Sequence, residues 1–118
     1  LEGSIPNWSD NGTYSIGELH EKQPIPELFV LNKAYPNPFN PTTTIGFGLP
    51  NRSEVVVEIY NLYGERVETL VNKSMQAGYE SIVWNADNCS SGLYFIKMSV
   101  LSSSAGKYTS TQKLMLVK

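Results

Sequence analysis

From Glu27 onward the chain alternates short apolar segments with clusters of Gly, Pro, Asn, Asp and Ser, and no stretch of ten or more residues carries apolar side chains at helical spacing. A chain patterned this way has few options. Each segment can bury only one face, so segments must pair edge to edge and stack face to face. The clearest case is TTTIGFGL, Thr42 to Leu49: Thr43, Ile45, Phe47 and Leu49 share one face, and Thr42, Thr44, Gly46 and Gly48 the other. Glycines on the back of a strand predict a bend or the close approach of another part of the backbone.

The remaining segments follow the same logic. Glu27–Leu31 is a short first strand. Glu54 to Val71 reads as a hairpin: Val55, Val57 and Ile59 share a face, Asn61–Gly64 is the turn, and Gly64 supplies the positive φ that such a turn requires. On the return, Glu65–Val71, Val67 and Leu70 stand three apart, which breaks strict alternation and predicts a bulge or strand end. Asn72–Ala77 is expected to be a loop or single helical turn ended by Gly78, followed by a strand that turns Ile82 and Trp84 to the same side. Further on, Tyr94, Ile96, Met98 and Val100 share a face, Ser102–Tyr108 is a flexible turn, and Thr109–Lys118 is a last strand, apolar on both faces from Leu114 to Val117. The pattern predicts an all-β fold, an immunoglobulin-like antiparallel β-sandwich of about seven strands with Trp84 as its core aromatic. A lone cysteine, Cys89, separates it from antibody-type domains with their disulfide.

Residues 1–26 are rich in Gly, Ser, Asn and Pro without sustained periodicity, the composition of a linker or of the tail of a preceding domain, and 27–118 are expected to form the folded domain. With no initiator Met, the sequence reads as a piece of a longer protein. Near the junction lies YPNPFNP, Tyr35 to Pro41. Pro36, Pro38 and Pro41 forbid a helix there and favour a stiff, extended or kinked entry to the following strand.

Charge and motifs exclude more than they select. Nine basic and eleven acidic residues, with no run of either sign, give no electrostatic footprint for nucleic acid or an anionic membrane surface. The only histidine, His20, lies in the polar arm, where a nucleophilic triad would have to recruit it from outside the folded domain. Glu54, Glu58, Glu65, Glu68, Glu80 and Asp87 are scattered over strand edges and turns rather than paired across a cleft. Asn7, Ser9, Asn11, Gly12 and Glu18 match positions one, three, five, six and twelve of a calcium loop, but the first lacks a carboxylate and no helix flanks them, so a polar linker is the better reading. No enzyme, cofactor or metal is expected.

Five motifs in order carry a family resemblance: YPNPFNPTTTIGFGLP, VVVEIYNLYGERVETLV, AGYESIVWNA, SSGLYFIKM and the terminal QKLMLVK. Together they resemble the C-terminal sorting domain of the type IX secretion system, type A, over Ala34 to Lys118. The resemblance implies a non-catalytic, immunoglobulin-like handle on a larger secreted protein. Such a handle carries cargo, already exported to the periplasm of a Gram-negative type bacterium, to an outer-membrane translocon. A surface sortase then often removes it, leaving the cargo attached to the cell surface. The resemblance places the sorting information in Gly92, Leu93, Tyr94 and Phe95 and in the last strand, Lys113, Leu114, Met115, Leu116, Val117 and Lys118. A terminal strand apolar on both faces is suited to pairing with a receptor or to self-association through its edge.

The competing reading is an accessory module that binds carbohydrate or protein beside a secreted enzyme. It would need a planar row of exposed aromatics. The candidates, Tyr60, Tyr63, Tyr79 and Tyr108, are expected on different faces, as rim residues that bury the ring and keep the hydroxyl wet.

Overall fold

Seven strands account for most of residues 25–118, which the computed structural model describes. The arm expected over 1–26 lies, up to residue 24, outside the described residues, and so do His20 and the calcium-loop spacing from Asn7 to Glu18. The strands are β1 (Val30–Leu31), β2 (Thr42–Leu49), β3 (Ser53–Asn61), β4 (Arg66–Met75), β5 (Gly78–Asn85), β6 (Gly92–Ser102) and β7 (Gly106–Leu116). They form a three-stranded sheet in the order β1-β2-β5 and a four-stranded sheet in the order β4-β3-β6-β7, every pair antiparallel. This is the immunoglobulin-like sandwich expected from the spacing of strands and turns.

The alternation seen in the sequence is the alternation that fills the core. Ile45, Phe47 and Leu49 from β2, Val55, Val57 and Ile59 from β3, Ile96, Met98 and Val100 from β6, and Leu114 and Leu116 from β7 are all buried between the sheets. Trp84 of β5 is the largest of the buried side chains and packs between Phe39 and Tyr94, its ring centroid 5.4 Å and 5.5 Å from theirs. Burying each such apolar side chain contributes roughly 1.5–3 kcal/mol, so the two inner faces supply most of the driving force for folding.

The one irregularity expected on the returning hairpin strand, a bulge or strand end, is a pair of β-bulges. Val57 faces Val71 and Glu58 faces Thr69, so Leu70 is an extra residue; Ile59 faces Glu68 and Tyr60 faces Arg66, so Val67 is another. Gly64 has φ +82°, as the turn requires. The bare back of β2 is also explained. A Cβ on Gly48 would stand 2.7 Å from Cγ of Pro26 and 3.0 Å from Cγ1 of Val30, so the residue is a seat for the entering chain. The approach is made by side chains rather than by a second backbone.

Three boundaries differ from expectation. Asn72–Ala77 is neither loop nor helical turn, because β4 stays paired with β3 as far as Met75 opposite Ser53. Backbone bonds hold this stretch extended while Asn72, Lys73 and Ser74 face solvent, so no apolar alternation announces it. The first strand shrinks from Glu27–Leu31 to Val30–Leu31, since the chain bends to lay Pro26 over Gly48. The flexible turn Ser102–Tyr108 is a tight one, Ser103–Ala105, between two eleven-residue strands. The Ser102 hydroxyl organises it, accepting from the Ala105 N–H at 3.1 Å and donating to Oδ1 of Asn51 at 2.7 Å.

Candidate recognition surface

The ten residues singled out for sorting come together on β6, β7 and the chain that follows, but the pleat divides them. Gly92 faces Leu116, Leu93 faces Met115, Tyr94 faces Leu114, and Phe95 faces Lys113. Because side chains alternate across a strand, Tyr94, Leu114 and Leu116 point into the core while Leu93, Phe95, Lys113 and Met115 share the outer face. The final strand expected to run to Lys118 stops at Leu116; Val117 and Lys118 lie beyond it, exposed. Lys118 folds back, its Nζ donating to the carbonyl of Asp87 at 2.6 Å. Gly92, which starts β6, has φ +151°, a conformation that side chains other than hydrogen rarely tolerate.

The buried tyrosine of this group is tied down as well. Tyr94 donates its hydroxyl to the carbonyl of Ser90 at 2.7 Å, and burial pushes its pKa above the ordinary tyrosine value.

On the outer face the cross-strand neighbour of Phe95 is Tyr60, and that of Tyr60 is Arg66, giving a row Arg66, Tyr60, Phe95, Lys113 with two rings between two cations. Lys97 lies beside Glu58 in the next row. The Glu58 carboxylate accepts from the Tyr60 hydroxyl at 3.0 Å, which raises the Tyr60 pKa, and pairs with Nη1 of Arg66 at 3.5 Å. At the end of this face stands the Asn61–Gly64 turn. The Asn61 side chain builds it, Oδ1 accepting from the N–H groups of Tyr63 at 2.9 Å and Glu65 at 3.0 Å. The turn lifts Leu62, 61% exposed, and Tyr63, 86% exposed, into solvent. Tyr60, Leu62, Phe95 and Lys97 line one shallow depression, and Leu62, Tyr63 and Leu93 border another. Two large apolar residues placed in a turn are the signal in the sequence that could have added Leu62 and Tyr63 to the candidates.

The four tyrosines do not form a row. Tyr60 lies on the four-stranded sheet, Tyr79 is exposed on the three-stranded one, and Tyr108 stacks on Phe29 at 5.5 Å. Tyr60 and Tyr108 are half-buried, as rim residues should be, whereas Tyr63 and Tyr79 are exposed rather than packed.

The edge of β7 holds what sequence reasoning missed. The chain entering the domain pairs first with β2, where Asn32 N–H meets the carbonyl of Gly46 at 2.8 Å and Tyr35 exchanges two bonds with Thr44. It then crosses to the other sheet. Phe39 donates to the carbonyl of Met115 at 2.9 Å and accepts from the N–H of Val117 at 3.0 Å, a parallel bridge opposite Leu116. Gln112 spans the gap between the sheets, its carboxamide accepting from Ala34 N–H at 2.6 Å and donating to the carbonyl of Asn32 at 2.7 Å. The proline-rich entry therefore switches sheets and seals the side of the sandwich where β1 and β7 lie. Phe39, the aromatic enclosed between Pro38 and Pro41, is the mark of this anchor in the sequence.

Among the described residues no group of three or more His, Cys, Asp or Glu side chains is placed to hold a metal ion. A comparison with curated proteins returned no match. A family model, described as the secretion system C-terminal sorting domain, matches residues 33–117. The match takes in β2 to β7 and the five motifs up to Val117, and the chain belongs to the family of C-terminal sorting domains that serve as signals for type IX secretion.

Proposed function

We propose that this domain directs a cargo joined to its N-terminal side from the periplasm through the type IX outer-membrane translocon, and that it has no catalysis of its own. The observation that carries this reading is the family match over residues 33–117. The recognition surface is the outer face of the β6–β7 hairpin, where Leu93, Phe95, Lys113 and Met115 stand exposed or half-buried; Gly92 sets the start of β6, and Tyr94, Leu114 and Leu116 hold the hairpin from inside. Val117 and Lys118 extend that surface past the last strand. A surface sortase then cuts on the N-terminal side of the domain, in the region of residues 1–26, and the cargo is attached at the surface or released.

The test is a fusion of residues 25–118 to a periplasmic reporter in a host with type IX machinery. The fusion begins at Ile25 because Pro26 and Phe29 pack onto the sandwich. The reporter is expected at the cell surface, and Phe95→Glu is expected to hold a folded fusion in the periplasm. A reporter that stays in the periplasm with the unaltered domain, or that still reaches the surface after deletion of Leu114–Lys118, would sink the proposal.

A further inference from the structure

The outer edge of β7 is occupied by a loop that imitates a strand. Phe39 meets Met115 and Val117 with the spacing of a parallel strand, at 2.9 Å and 3.0 Å. Two residues earlier, the Asn37 carboxamide takes the place of a peptide group: its Oδ1 accepts from the N–H of Met115 at 3.0 Å, and its Nδ2 donates to the carbonyl of Lys113 at 3.0 Å. Two of these four bonds come from a side chain in solvent. One apolar anchor holds the loop, Phe39, 2% exposed beside Trp84, while Tyr35, Pro36, Asn37, Pro38 and Asn40 are all exposed.

Such a cover is weaker than a strand in two respects. Pro36, Pro38 and Pro41 have no N–H to donate, so the loop cannot lengthen its pairing into a ladder. Its bonds to the β7 backbone also stop at Lys113, although β7 continues back to Gly106. Beneath it lies an eleven-residue strand that pairs with β6 without a register shift and contains no proline, a regular template for strand addition.

We propose that the β7 edge from Lys113 to Val117 is a strand-addition site covered by the Tyr35–Pro41 loop. Its partner is an extended peptide segment that runs parallel to β7 and places an aromatic side chain in the socket of Phe39. The loop shows what the site accepts: two backbone-spaced bonds, an aromatic anchor, and a parallel direction. An ordinary segment would supply donors where the prolines have none and continue the pairing toward Thr109. The proposal rests on the sorting reading only for the partner's origin, a segment of the translocation machinery.

Amide hydrogen exchange on the 118-residue chain and on its Asn37→Ala variant tests the site without secretion. Loss of two exposed hydrogen bonds is expected to speed exchange at Met115 and Val117 about tenfold. Val117 is the telling position, because its N–H bonds to Phe39 and never touches Asn37. The Ile96 amide, in the centre of the sheet, should keep its protection. Excess synthetic peptide of the sequence Tyr35–Pro41 is expected to restore slow exchange at both edge amides. Three outcomes overturn the proposal: unchanged exchange at Val117, equal loss of protection at Ile96, which means the whole domain opens, or no effect of the peptide. Should Asn37→Ala fail to fold, Asn37→Asp, which keeps the acceptor for Met115 and loses the donor to Lys113, is read at Val117 alone, where the same acceleration is expected and its absence overturns the proposal. A reporter that is not secreted while the peptide does bind strikes the sorting reading and leaves the site standing.

Discussion

The four-stranded sheet has two outer edges, and they are protected by opposite means. The β4 edge guards itself: bulges at Leu70 and Val67 interrupt its ladder, and Arg66, Glu68 and Lys73 put charge along it. The β7 edge is regular from Gly106 to Leu116 and is guarded by a segment from the other end of the domain. An edge guarded by its own sequence is closed for good. One guarded by a loop can be opened by whatever displaces the loop, which suits a strand whose residues are proposed to be read by a partner.

The contrast can be broken or sharpened by substitution. Phe39→Ala should have the largest effect, a loss of about 3–5 kcal/mol in urea unfolding, because it empties a socket beside Trp84 as well as freeing the loop. Sedimentation of the same variant should show concentration-dependent association through the bared edge. Glu68→Ala comes next. The buried Trp84 donates its Nε1–H to Oε1 of Glu68 at 3.1 Å across the β4 side, and leaving that donor unpaired should cost about 1–3 kcal/mol, while Glu68→Gln, which keeps an acceptor, should cost much less. Arg66→Ala should change stability by less than about 0.5 kcal/mol, since the arginine end of its pair with Glu58 is solvated, and it should add no concentration-dependent association because the bulges stay in place. If Arg66→Ala associated as readily as Phe39→Ala, the β4 edge would depend on charge alone, and the distinction between the edges would fail.

How much of this was legible in the sequence depended on whether a segment's partner was the core. β2, β3, β6 and the end of β7 bury one face, so their alternation wrote itself into Thr43 to Leu49, Val55 to Ile59, Tyr94 to Val100 and Leu114 to Leu116. The break in alternation between Val67 and Leu70 was legible too, but not that it holds two register shifts, because Val67 is exposed and Leu70 only half-buried. Lys73 and Ser74 were not, because their pairing is made by backbone alone and leaves no trace in side-chain chemistry. The stiffness of the proline stretch could be read, but its destination could not. Asn37 and Lys113 are 76 residues apart, and nothing local says where a loop will land. The ten residues proposed for recognition stand in the sequence as two runs, but only the register shows that they lie side by side and that Tyr94, Leu114 and Leu116 face inward.

The sheet-switching entry also has a mechanical meaning. Its last residues run parallel to β7, so a pull applied between Ile25 and Lys118 drags the two segments past each other along their length. The bonds of Phe39 and Asn37 to β7 then take the load together, in shear, instead of parting one after another as a hairpin does when its ends are drawn apart. A tug on whatever precedes the domain is thereby shared between β2, which holds the chain from Val30 to Tyr35, and the final strand, which holds Asn37 and Phe39.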